Sequence, residues 1–163
     1  MRTIGSGHAS GTNTMRAAGW SAGIVVMILD VAKGYLAVWL AMRFGSWRWI
    51  AAVAAGLVVI GHCWPIFADF RGGMGLGCGG GGLLATWPLG FVIAIGLGAA
   101  LQLLIKHSAR ANVATGLLLA PLWMVFGATP ERWVLAGVAG VIVAYRALSD
   151  WNRVYRELWW DRE

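Results

Sequence analysis

The chain has 163 residues, 59% of them hydrophobic and 12% charged, with a formal net charge of +6. That length suits one domain, and that mixture is far from a soluble one. Several apolar runs approach or exceed about 18 residues, which implies an all-α, polytopic transmembrane helical bundle whose backbone amides are satisfied internally. The charge does not point to nucleic acid: the basic residues sit mostly at the ends of apolar runs, where headgroups and the insertion machinery account for them.

Residues 1–16 are polar and glycine-rich, with no cleavable signal peptide. In Gly5-Ser6-Gly7-His8-Ala9-Ser10-Gly11-Thr12-Asn13-Thr14-Met15-Arg16, the side chains of Ser6, Thr12 and Asn13 offer donors and acceptors, and Arg16 can grip a phosphate with two N–H groups. The alternative is an unstructured terminus whose Arg16 snorkels to the membrane surface.

Five apolar blocks follow, at about 17–44, 49–67, 77–105, 113–127 and 133–148. Asp30 lies roughly 20 Å along the first if that block is helical. An ionisable group at such depth must pair or face a polar interior, and Lys33 at i+3 is placed to pair with it.

The second block ends in the most informative stretch, Gly61-His62-Cys63-Trp64-Pro65-Ile66-Phe67-Ala68-Asp69-Phe70-Arg71-Gly72-Gly73-Met74-Gly75. Closely spaced glycines can present backbone N–H groups to an anion, and Arg71 beside them adds full charge. The later glycines, Gly77 and 79–82, also suit close helix packing. Cys63 and Cys78 have no second Cys or His at ligand spacing, so neither a disulfide nor a metal site is expected.

As one straight helix the third block would be about 43 Å long, against a hydrocarbon core of about 30 Å. Pro88 lies inside it, and the glycine run at its start has little helix propensity. If the block breaks at Pro88 and returns, Arg2, Arg16, Arg71, Lys106, Arg110, Arg146, Arg153, Arg156 and Arg162 share one side, and only Arg43, Arg48 and Arg132 lie opposite. That asymmetry favours a broken or re-entrant segment near Pro88, with the polar start, the glycine loop and the tail all cytoplasmic. Taken alone, the Arg/Trp mixture of the tail segment 145–158 suggests an interfacial anchor.

Four of these segments, in this order, resemble the bacterial acyl-phosphate:glycerol-3-phosphate acyltransferases of the integral-membrane type. The first motif, close to G-S-G-N-x-G-A-T-N-x-x-R, is matched by Gly5, Ser6, Gly7, Thr12, Asn13 and Arg16. L-D-x-x-K-G is matched by Leu29, Asp30, Lys33 and Gly34. G-H-x-x-P-x-F-x-x-F-K-G-G-K-G is matched by Gly61, His62, Pro65, Phe67, Phe70, Gly72, Gly73 and Gly75, with Arg71 for the first lysine. The H-x-x-N of the third motif keeps Asn152, and Glu157, Asp161 or Glu163 could serve as its acidic residue. The departures are His8 for Asn, Ser10-Gly11 for Gly-Ala, Met74 for the second lysine and Ser149 for His. The family's helix ahead of the serine motif has no counterpart in these residues, which suggests either a start upstream or a truncated gene.

The resemblance implies one membrane-embedded domain over 1–163: a cytoplasmic polar motif (1–16), membrane helices (17–148) and a cytoplasmic tail (149–163), in a bacterial inner membrane. It implies transfer of a fatty acyl group from acyl phosphate to glycerol 3-phosphate, giving lysophosphatidic acid, with no metal or organic cofactor and the lipid bilayer as surroundings. It specifies no oligomer. Ser6, Arg16, Arg71 and Asn152 would act in catalysis. Thr12, Asn13, His62, Gly72, Gly73, Gly75 and Glu157 would bind substrate, the glycines through their amides. A different reading is a divergent, non-catalytic member that binds phosphorylated lipid precursors or a partner enzyme. A small transporter is disfavoured by the lack of an internal repeat.

Overall fold

The structure, a computed structural model, describes residues 7–154. The regular structure among them is helical throughout: α1 (Gly11–Ala18), α2 (Trp20–Phe44), α3 (Ile50–Cys63), α4 (Leu76–Thr86), α5 (Pro88–Ile105), α6 (Ser108–Val125) and α7 (Pro130–Leu148), with a short 3-10 turn at Ile66–Ala68. Trp20–Phe44, Ile50–Ala68 and Pro88–Ile105 are long and apolar enough to cross a membrane. Large apolar side chains face outward, with Trp20 and Leu104 each 77% exposed. A surface of that kind suits lipid, and the chain is a multi-pass membrane protein.

The expected break is present. Trp87 is extended at φ −159°, and Pro88 opens α5 at its first turn. Proline steers the residue before it out of helical geometry, while its own fixed φ suits a helix start. The expectation that the glycine run resists helix is not met, because tertiary packing overrides weak propensity. A Cβ at Gly81 would lie 2.0 Å from the Val31 carbonyl oxygen, and one at Gly34 would lie 2.0 Å from that of Cys78. Glycines therefore let α4 press backbone to backbone against α2. Gly116 and Gly140 do the same for α6 and α7.

The polar N-terminal segment is not featureless. Ser10 caps α1, its Oγ accepting the Asn13 N–H at 3.3 Å, and Gly19 at φ 91° separates α1 from α2. The step from polar segment to membrane helix thus falls at Gly19 rather than after Arg16.

The bundle has two distinct ends. One gathers α1, the loop before α4, the α5–α6 turn and the C-terminus of α7 around a common cavity. The other holds the Arg48–Glu131 pair at 2.5 Å and Arg132 over the Trp87 ring at 5.6 Å. Trp87 therefore lies at the second end, and α5 returns to the first, as the charge asymmetry requires. Val38, Ala55, Leu83, Trp123, Leu135 and Ala136 form the core toward that second end. Val59, Cys63, Cys78, Ala139 and Val143 pack in a smaller cluster beneath the glycine loop. Both cysteines are free and buried there.

Candidate active site

The glycine loop is held from within. The Gly72 N–H donates to the Cys63 carbonyl and the Gly73 N–H to the His62 carbonyl, each at 3.1 Å. This corrects one expectation: these two amides are committed to the end of α3 and are not available to an anion. The residues are glycine because space is lacking. A Cβ at Gly72 would lie 2.0 Å from the His62 carbonyl oxygen, and one at Gly73 would lie 2.1 Å from His62 Nε2 and 2.5 Å from the Ala9 oxygen. Gly75, at φ 82°, turns the chain into α4. The first amides of a helix have no acceptor within it, and α4 begins on the cavity wall with Gly75, Leu76 and Gly77. The positive end of the α4 backbone therefore faces the cavity.

The N-terminal segment divides its residues between shape and surface. Asn13 is fully buried, and its Nδ2 donates to the His8 carbonyl at 3.1 Å. Thr14 Oγ1 donates to the Ser10 carbonyl at 2.9 Å. Asn13, expected on substrate, instead braces the turn. His8, Ser10, Thr12 and Arg16 line the cavity. Ser6 and Glu157 lie outside the described residues.

Arg146 ties three distant segments together. Its Nε donates to the Gly73 carbonyl at 3.2 Å, Nη1 donates to Ser149 Oγ at 2.8 Å, and Nη2 lies 3.1 Å from His8 Nδ1. A guanidinium can only donate, so His8 Nδ1 accepts. The proton of the neutral ring is then on Nε2, which donates to Asp150 Oδ2 at 2.7 Å. Burial raises the Asp150 carboxyl pKa, but the His8 hydrogen bond and the charges of Arg153 and Arg146 outweigh it, and the net shift is downward. From sequence, Arg146 counted as a cytoplasmic charge and as part of the Arg/Trp tail segment. The available hint was its position one turn before Ser149.

Asp30 and Lys33 pair as expected, Nζ donating to Oδ1 at 2.5 Å, and the ammonium also lies 2.7 Å from His62 Nδ1. Asp30 and His62 line the cavity. The fold brings Cys78 to this pair, so that ligand atoms of Asp30, His62 and Cys78 lie within 4.8 Å of one another. Spacing along the chain could not show that grouping. These donor types suit a divalent ion, but the Lys33 ammonium already occupies the position between Asp30 and His62. A dication would have to displace that like charge.

The cavity measures about 450 Å³. Beside it lies a groove of about 260 Å³ between α4, α5, α6 and α7, lined mainly by apolar side chains such as Leu83, Leu119 and Val143. The two share a wall made by Leu76, Gly80, Phe91, Ile95, Gln102 and Asn112. Of the remaining expected site residues, Gly72 and Gly73 support the wall from behind. Arg71 and Asn152 are exposed and do not line the cavity. A chamber that carries charged and polar side chains at one end of the bundle, set against an apolar slot, can hold an amphiphile with its anionic head and its chain in separate compartments.

The model of the glycerol-3-phosphate acyltransferase family matches residues 1–157. A glycerol-3-phosphate acyltransferase of Rubrobacter xylanophilus is 43% identical over 88 residues, spanning 54% of this chain and 44% of that protein. One from Laribacter hongkongensis is 38% identical over 146 residues, covering 86% of this chain and 70% of its own length. The crystal structure of PlsY, an integral membrane glycerol 3-phosphate acyltransferase, in its glycerol 3-phosphate form superposes with a TM-score of 0.80 at 28% identity, over 93% of this chain and 76% of that one. Its lysophosphatidic acid form gives 0.79 at 27% identity.

Proposed function

This chain belongs to the glycerol-3-phosphate acyltransferase family, and from that membership and the two joined cavities we propose that it acylates glycerol 3-phosphate with acyl phosphate as donor. The observation that carries this reading is the shared wall: a chamber edged by Arg16, Thr12 and His62, suited to phosphate groups, lies directly against an apolar slot suited to a chain. The oxygen of the 1-hydroxyl attacks the acyl carbonyl carbon. The bond from that carbon to the phosphate oxygen breaks, and the hydroxyl proton leaves with the departing phosphate. Lysophosphatidic acid and inorganic phosphate are the products, and no protein base is needed.

The chain's residues then work by placement and charge. Two anionic reactants must share one chamber. Its own acids are matched in place, Asp30 by Lys33 and Asp150 by His8, Arg146 and Arg153. What remains to receive phosphate is Arg16 and the start of α4. Thr12 and His62 face the same space, and Arg71 and Asn152 stand outside the chamber to guide reactants in. The chamber end is cytoplasmic in a bacterial inner membrane, which the distribution of arginines and lysines supports.

The test is direct. The purified full chain, given palmitoyl phosphate and radiolabelled glycerol 3-phosphate, should form labelled lysophosphatidic acid. Absence of product, with binding of both reactants retained, would instead support the non-catalytic reading.

A further inference from the structure

Asn112 is buried to 7% exposure on α6 and lines both the polar chamber and the apolar groove. With Ser108 four residues before it and Thr115 and Gly116 following at i+3 and i+4, it lies on the helix face that runs down into the groove. Its polar neighbours are occupied. Gln102 and Ser108 bond each other, Nε2 to Oγ at 3.4 Å, and Thr115 Oγ1 donates to the Ala111 carbonyl at 2.8 Å. The Asn112 side chain has no hydrogen bond to any described residue, and its amide opens onto the two cavities it lines. A cavity-facing amide without a protein partner is free to bond what enters.

The chemistry of the donor says what belongs there. In an acyl phosphate the carbonyl lies between the phosphate and the chain. With phosphate in the chamber and chain in the groove, the carbonyl falls at the wall the two cavities share. We propose that Asn112 binds this carbonyl, its Nδ2 donating to the carbonyl oxygen, and so acts as a catalytic residue of the acyl transfer. The inference rests on the reading of acyl phosphate as donor. Negative charge grows on that oxygen as the glycerol hydroxyl attacks, so the same N–H strengthens its hold in the transition state. Gln102, tied to Ser108, holds the neighbouring part of the wall in place.

The experiment pairs a change in the protein with a change in the ligand. The wild-type chain and Asn112→Leu, which has similar volume and no donor, are titrated with palmitoyl phosphonate, which keeps the carbonyl, and with an alkyl phosphonate of equal length, which lacks it. Wild type should bind the acyl compound about fivefold to tenfold more tightly, and Asn112→Leu should abolish that preference while binding the alkyl compound normally. In turnover, kcat should fall by about 10²-fold with the KM for glycerol 3-phosphate within about twofold. If Asn112→Leu keeps the preference, or if wild type never shows one, the carbonyl role is refuted while the donor assignment stands. If wild type binds neither phosphonate, the donor assignment itself fails and this role with it. Asn112→Ala is read by the same criteria should the leucine variant not insert.

Discussion

Both ends of the bundle present arginines around a cavity, but they are built differently. At the Arg48 end a space of about 400 Å³ is bordered by Arg48, Glu131 and Arg132. Arg48 is matched by Glu131, both side chains are well exposed at 59% and 36%, and Arg132 lies over Trp87. At the other end Arg146 joins α7 to the N-terminal segment and to the glycine loop, and Asp150 adds a bond to His8. The matched cation at the first end stabilises little and leaves little charge for a ligand. The network at the second end neutralises its acids internally and leaves Arg16 facing the chamber. Where a site lies is thus decided less by the number of cations than by which of them are already answered.

The contrast can be broken most severely at Gly73. Gly73→Ala forces a Cβ against the Ala9 carbonyl and the His62 ring. Acyl transfer should be lost and the thermal midpoint lowered, with a cost of about 1–3 kcal/mol. Wild-type turnover and melting would show that the loop need not sit as described. Next come the two candidate phosphate cations. Arg16→Ala should lower kcat/KM for glycerol 3-phosphate by about 10²-fold. Arg71→Ala, outside the chamber, should cost only about tenfold, mostly in KM. The reverse ranking would move the phosphate site out to the loop rim. Arg146→Lys retains charge but not the planar fork, so activity should drop about tenfold with insertion unaffected. Equal activity would mean that charge, not geometry, joins the three segments.

The acid range gives a smaller effect. Asp150 has a lowered pKa in the folded chain, so its contribution is fully present above the unfolded value of about 3.9 and is lost as pH falls through the folded value. The difference in thermal midpoint between wild type and Asp150→Asn should stay constant from neutral to mildly acidic pH and shrink only below about pH 4. A difference that vanished near neutrality would remove the carboxylate from the clasp. At the opposite end, Arg48→Ala should shift stability by less than about 1 kcal/mol and leave turnover unchanged. A loss of activity there would erase the distinction between the two ends.

Features governed by local chemistry were legible before the fold was known. Pro88 steers the residue before it out of helical geometry and suits a helix start, so the break beside it was readable, and with it the side on which the chain returns. The Asp30–Lys33 pair followed from depth and an i, i+3 spacing. Features set by approach between distant segments were not. Whether the Gly72 and Gly73 amides are free depends on the Cys63 and His62 carbonyls at the end of the preceding helix. The helicity of the run 77–82 depends on α2 lying against it. The roles of Arg146 and Asn112 arise because α7 meets the loop and α6 walls the cavity; Ser149 one turn on is the single hint for Arg146, and nothing near Asn112 in the chain announces its role.

The central claim is that the phosphate of glycerol 3-phosphate enters the chamber between Arg16 and the start of α4. A structure of the full chain with glycerol 3-phosphate bound tests it most directly. The phosphorus should lie in that chamber, within reach of Arg16 and the amides that follow Gly75. Phosphorus found instead beside Arg48 and Arg132 at the other end would contradict the account.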